Sequence, residues 1–150
     1  MSTLILCACI GFIIAVMWID LIFDALVLPH HNSKDPLPEE VLATMSSFFK
    51  RITYKPFLIF VILVGMFTII IQQIINSSVP VWAAWASLIP ILVSFGFAVS
   101  SVFPTARRLG SRVDTLEKQS ELARSLFPIH AFVLIAMLLV LAVQMYVSAM

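Results

Sequence analysis

Residues 56–75 read PFLIFVILVGMFTIIIQQII, twenty residues without a single Asp, Glu, Lys or Arg. As a helix that rises about 1.5 Å per residue, this stretch is about 30 Å long, which matches the hydrocarbon core of a bilayer. In lipid, only helices and closed barrels satisfy every backbone amide, and the run lacks the alternation of a barrel strand. The stretch therefore predicts a transmembrane helix.

Three further long apolar runs occur in the chain, at Leu4–Leu28, Val79–Phe103 and Phe127–Met150. Hydrophobic residues make up 61% of the sequence and the mean hydropathy is +1.08, which is more apolar surface than a soluble domain can bury. We predict an all-α membrane protein with a single domain over residues 1–150. Its four transmembrane helices, at about 4–28, 56–75, 79–103 and 127–150, are expected to form one bundle.

The basic residues predict the orientation of this bundle. No Lys or Arg lies between the second and third runs, whereas the segments after the first and third runs hold all nine: Lys34, Lys50, Arg51, Lys55, Arg107, Arg108, Arg112, Lys118 and Arg124. By the positive-inside rule both basic segments are cytoplasmic, so both termini face outward (N-out, C-out).

Both basic loops are expected to contain amphipathic helices. After Asp35 and Pro36, a plausible N-cap and first-turn pair, the apolar residues Leu37, Val41, Met45, Phe48 and Phe49 recur at helical spacing. This pattern predicts a short helix at the inner membrane surface. In the second loop, Ser111 or Asp114 is expected to cap a helix that runs toward the last span, with Pro128 kinking or starting that span.

Two carboxylates lie inside the first span. Asp20 is roughly 24 Å along the helix from Leu4, and Asp24 is one turn further on the same face. An uncompensated Asp near the bilayer centre costs about 2.5 to 3.5 kcal/mol on insertion scales, so both should face the bundle interior and find partners there. By contrast, the glutamines near the other ends of the spans predict interhelical hydrogen bonds.

Three interpretations of this inner polar group remain open. In the first, Arg108 and Arg124 neutralise Asp20 and Asp24 in a structural network of ion pairs. In the second, the two carboxylates join His130 and either His30 or His31 as ligands of iron, manganese, zinc or copper.

The third interpretation is a polar pocket for an amphipathic molecule such as a quinol or another aromatic. His130 and Asp20 are then the catalytic acid/base pair, and Arg108 or Arg124 binds an anionic group of the substrate. Neither of the last two interpretations has a specific sequence motif behind it.

The strings MWIDLIFD (17–24), FKR (49–51), RRLG (107–110) and QSELAR (119–124), together with His130, resemble a group of small four-span bacterial integral membrane proteins. The resemblance covers most of the chain and implies the same fold and a bacterial inner membrane. In length and layout the chain is more distantly similar to the anthrone-oxygenase-like family, which includes cofactor-independent oxygenases of polycyclic aromatics. No catalytic motif of that family matches named positions here, so its activity does not carry over.

Several function classes lack their signatures. The chain has no Walker loop, GxGxxG, HExxH or GxSxG, and its net charge of +1 gives no nucleic-acid footprint.

The leading hypothesis is a membrane protein whose inner-leaflet polar site binds a lipophilic substrate or a metal, with oxidoreductase-like chemistry as one outcome. The alternative is a non-catalytic accessory subunit of a larger membrane complex. The expected partners are the bilayer and either further copies of the chain or such a complex.

Overall fold

The structure, a computed structural model, describes residues 2–30, 33, 35–52 and 56–150. The described residues are helical throughout, apart from short connections, and contain no β-strand. They include four helical stretches that are long and apolar enough to cross a membrane: Ser2–His30, Phe57–Ile75, Val81–Ser111 and Leu116–Ser148. The prediction of an all-α protein with four such helices is confirmed by length and composition.

Two of these stretches change their helical type along the way. The first is an α-helix followed by a 3₁₀ helix, and the third contains a π-helical segment between two α-helices. In chain order the elements are α1 (Ser2–Asp24), the 3₁₀ helix (Ala25–His30), α2 (Glu39–Ile52), α3 (Pro56–Ile75), α4 (Val81–Phe97), the π-helical segment (Ala98–Val102), α5 (Phe103–Ser111) and α6 (Leu116–Ser148).

The four long helices pack around one apolar core. Helix α6 contacts α1 and α4, and α3 contacts those same two helices from the other side of the bundle. We call the buried residues at their centre the bundle core: Leu6, Ile10, Ile13, Leu63, Met66, Ile70, Ile91, Val133, Ala136, Met137 and Val140. Apolar side chains on the outside stay exposed, Phe57 at 77% and Leu4 at 70%, as expected of a surface that faces lipid.

A second apolar cluster closes one end of the bundle. It brings α2, α5 and the first turns of α6 together, and we call its buried residues the end cluster: Val27, Leu37, Leu42, Met45, Phe49, Ala106, Leu109, Ala123 and Leu126. The Phe23 and Phe48 rings stack at 3.7 Å between centroids and fix α2 against α1. The apolar stripe of α2 is thus packed within the protein, with Leu37, Met45 and Phe49 buried and Val41 and Phe48 partly buried.

The ends of the loop helices differ from those predicted. Helix α2 begins at Glu39, after the predicted Asp35–Pro36 start, because the Pro38 carbonyl accepts the first helical hydrogen bonds. Helix α6 is capped by Thr115, whose side chain accepts from the Lys118 amide. Pro128 lies inside α6, so it does not start a helix.

Helix α2 packs closely against α5 at Gly110. A Cβ at this position would lie 3.0 Å from the Lys50 backbone nitrogen and 3.2 Å from its Cα. The Ser46 hydroxyl donates to the Gly110 carbonyl at 3.4 Å. Gly110 therefore sets the distance between the two helices, since a larger residue would push the α2 backbone away.

The opposite end of the bundle is joined by a buried amide network. The Gln73 side chain donates to the Gln144 carbonyl oxygen at 3.1 Å, and the Gln144 amide donates to the Ser87 hydroxyl at 2.9 Å. These bonds connect α3, α4 and α6. The predicted interhelical role is confirmed for these two glutamines, while the Gln72 side chain is exposed.

Candidate functional site

A cavity of about 700 Å³ lies between the bundle core and the end cluster. Its size falls in the range of pockets that hold small organic molecules. Most of its wall is apolar, and residues from both clusters contribute. The lining residues are Ile13, Val16, Met17, Asp20, Phe49, Lys50, Ile59, Leu63, Ile91, Ser94, Ala98, Val102, Phe103, Ala106, Arg107, Gly110, Ser111, His130, Val133 and Met137.

A buried carboxylate–imidazole pair stands at this cavity. Asp24, the last residue of α1, places Oδ2 2.5 Å from Nδ1 of His130 on α6. The two side chains are 0% and 1% exposed, so water does not compete for the contact. A carboxylate that accepts from Nδ1–H fixes the ring orientation and leaves Nε2 as the free nitrogen.

Three buried polar atoms of the cavity wall lack a hydrogen-bond partner among the described residues. They are Asp20 Oδ1, Ser94 Oγ and His130 Nε2, which come from α1, α4 and α6. Buried polar atoms in proteins are nearly always hydrogen-bonded, and each unsatisfied one costs about 1 to 3 kcal/mol. A hydroxyl or carbonyl group placed within hydrogen-bond distance of these atoms would supply the missing partners.

Arg108 and Arg124, which the sequence analysis places in the inner polar group with Asp20 and Asp24, have other partners. Arg108 donates to both oxygens of Asp114, at 3.0 and 2.6 Å, in the turn between α5 and α6. Arg124 donates to the backbone carbonyls of His30 and Asp35, at 3.4 and 2.8 Å. Neither arginine lines the cavity.

The network of ion pairs predicted for Arg108 and Arg124 with Asp20 and Asp24 is therefore absent from the described residues. The reason is local: α5 ends three residues after Arg108, and the following turn brings Asp114 back to it. The hydrogen bonds from Arg108 lower the pKa of the Asp114 carboxyl.

Among the described residues, His30 and His130 do not belong to a group of the kind that the metal interpretation requires. His30 ends the 3₁₀ helix, and His31 lies outside the described residues. Within the part of the chain that the structure describes, no three His, Cys, Asp or Glu side chains form a group that could hold a metal ion. The assignment of Asp20, Asp24, His30, His31 and His130 to iron, manganese, zinc or copper stays a prediction.

The site also contains residues that sequence reasoning did not assign to it. Ser94 faces the cavity from α4, and Lys50 and Arg107 line its wall from α2 and α5. The π-helical segment contributes Ala98 and Val102 to the same wall, and π-type turns inside α-helices are frequent at functional sites. Pro90 and Gly96 near this segment are the signal in the sequence that a regular helix is interrupted here.

Chemically, the arrangement combines an apolar pocket with one oriented imidazole and one further carboxylate. His130 Nε2 is able to accept a proton from a hydroxyl, and Asp20 is a second group for hydrogen bonding or proton transfer at the same wall. Comparison of the chain with protein-family models, with curated proteins and with solved structures finds no match. The family resemblance of the sequence therefore stays a prediction, and the site itself is the basis for a functional assignment.

Proposed function

We propose that this chain is a small integral membrane protein that binds a lipophilic molecule in the cavity between the bundle core and the end cluster. The observation that carries the proposal is that Asp20, Ser94 and His130 line one mainly apolar cavity and that Asp20 Oδ1, Ser94 Oγ and His130 Nε2 are buried and unpartnered among the described residues. A ligand with an apolar ring or chain and a hydroxyl or carbonyl group would complement both the apolar and the polar residues of this wall.

The orientation of the protein is part of the proposal. All nine Lys and Arg residues lie in the segments that follow the first and third spans, which supports a cytoplasmic position for α2 and for the turn after α5. Both termini then face outward, and the cavity lies in the inner leaflet. The resemblance to four-span bacterial proteins supports a bacterial inner membrane.

The Asp24–His130 pair defines the chemistry we propose at the site. Because Asp24 holds Nδ1, His130 Nε2 is oriented to take a proton from a bound quinol or aromatic hydroxyl, and the resulting imidazolium is stabilised by the carboxylate. Asp20 accepts or returns a proton at the same wall. Loss of the hydroxyl proton leaves a quinolate or phenolate, and oxidoreductase-like function would additionally require an external electron acceptor, such as dioxygen, to take the electrons.

The proposal is tested on protein extracted gently from its native membrane. Ultraviolet-visible spectra, native mass spectrometry and metal content are measured for the unmodified protein, for Asp20→Asn and His130→Ala, and for Asp114→Asn as an acidic control away from the cavity. We expect a lipophilic ligand that is retained by the unmodified protein and the control and lost from both site variants.

Other outcomes would change the assignment. A stoichiometric metal that disappears in both site variants would favour the metal interpretation. A chain that purifies with a fixed protein partner and without any small ligand would favour the accessory-subunit alternative. Equal ligand retention in all four proteins would contradict the role of the polar wall.

A further inference from the structure

Two basic side chains line the same cavity as the polar wall. Lys50 on α2 and Arg107 on α5 are both exposed, and neither forms a hydrogen bond or ion pair with another described residue. By contrast, Arg108 and Arg112 are paired with acids. The two cations that reach the cavity are thus unneutralised within the described residues.

The packing of α2 on α5 places these two cations at one edge. The Lys50 backbone lies against Gly110, which is one turn after Arg107 and therefore on the same face of α5. Ser111, on the same face and four residues after Arg107, also lines the cavity. Two cations and a hydroxyl thus occupy the edge contributed by α2 and α5, while the Asp20 carboxyl belongs to the wall contributed by α1.

We infer that the ligand of this site is an anionic amphiphile, with its apolar body in the cavity and a carboxylate or phosphate group at Lys50 and Arg107. This inference rests on the proposed function and adds the charge of the ligand and its orientation in the cavity. An anionic group at the α2–α5 edge is attracted by two cations, whereas the Asp20 carboxyl on the α1 wall would repel it. The hydroxyl or carbonyl group of the same molecule then faces His130.

The test uses the full chain in nanodiscs of zwitterionic phosphatidylcholine. Three radiolabelled probes with the same chain length are compared: dodecanol, dodecanoate and dodecyl phosphate, with inorganic phosphate as a competitor. Binding is measured for the unmodified protein, for the double variant Lys50→Gln/Arg107→Gln, and for Arg51→Gln. Arg51 is the matched control because it is exposed on α2 next to Lys50 and does not line the cavity.

We expect the unmodified protein to bind an anionic probe about tenfold more tightly than dodecanol, as one or two charge-assisted contacts at a partly exposed edge provide. The double variant should lose this preference and keep its affinity for dodecanol, and Arg51→Gln should behave like the unmodified protein. If dodecyl phosphate alone binds tightly, the site is specific for a phosphate group. If dodecanoate binds tightly as well, it is a general anion site.

Equal affinity for dodecanol and both anionic probes would overturn the inference and leave the proposed function intact. An unchanged preference in the double variant would do the same. Displacement of the anionic probes by inorganic phosphate alone would mean that the cations bind a free anion, which would also overturn it. Absence of binding of every probe, dodecanol included, would instead contradict the proposed function on which the inference depends.

Discussion

The pair formed by Asp24 and His130 should be coupled energetically, and a double-mutant cycle measures that coupling. The cycle consists of Asp24→Leu, His130→Leu and the double variant. Each single substitution leaves one buried polar group without its partner, because both side chains are at most 1% exposed. The double variant removes both groups together and replaces them with apolar side chains that suit the surrounding helices.

The expected magnitude follows from the kind of hydrogen bond. Neutral hydrogen bonds between transmembrane helices average about 0.6 kcal/mol in such cycles. Bonds to a charged group contribute about 1.5 to 3 kcal/mol, and this one has a carboxylate acceptor in a site that excludes water. We therefore expect a coupling free energy of about 2 kcal/mol, with Asp24→Asn intermediate because its amide oxygen still accepts from Nδ1–H.

The free energy of unfolding is measured in mixed micelles by titration with a denaturing detergent, followed by far-ultraviolet circular dichroism. The double variant should be clearly more stable than the sum of the two single losses predicts. A coupling below about 0.5 kcal/mol would refute the reasoning, since it would mean that the pair is no more than an ordinary interhelical contact.

Two further predictions concern the helices that close the cavity. Gly110→Ala should lower the free energy of unfolding by about 1 to 3 kcal/mol, because its Cβ meets the α2 backbone, whereas Gly96→Ala, with nothing within 4 Å, should be neutral or stabilising by up to about 1 kcal/mol. The Arg112 hydrogen bond lowers the pKa of Glu39, so the tie between them should be complete above the usual glutamate pKa and lost as the pH falls through the lowered value. The protection of amides at the start of α2, measured relative to their intrinsic exchange rates at each pH, should therefore fall on acidification, and Glu39→Gln should abolish that change. A Gly96 variant as unstable as the Gly110 variant, or amide protection that does not change with pH, would contradict these expectations.

Much of the fold follows from the sequence because length and hydropathy alone restrict it. The apolar run at residues 56–75 corresponds to α3, and Asp20 and Asp24 are buried on one face of α1 as their spacing predicts. The residues at which helices begin and end depend on local hydrogen bonding as well as on hydropathy. Helix α2 begins later than expected because a proline carbonyl replaces the predicted aspartate cap, and this choice depends on local geometry that residue type alone does not determine.

The site was predictable only in part. Asp24 and His130 are 106 residues apart in the chain, and their contact meets the expectation of a buried partner for Asp24. His130 was expected to act with Asp20, whose Oδ1 has no hydrogen-bond partner among the described residues. The partner of Arg108 was not predictable in this way, since the turn after α5 supplies a nearer acid than those in the span. The cavity itself arises where two apolar clusters fail to fill the space between them, and such packing has no signature in a single sequence.

The central claim is that the cavity holds a ligand, and a cavity-filling substitution tests it most directly. Ala98→Phe places a ring in the cavity wall at the π-helical segment, while Val99→Phe places the same ring on the neighbouring residue, which is 52% exposed and faces away from the cavity. Native mass spectrometry of protein taken gently from its own membrane measures ligand retention, and circular dichroism checks the fold. We predict that the unmodified protein and Val99→Phe retain a lipophilic ligand and that Ala98→Phe, folded, does not; retention by all three, or by none, would contradict the account.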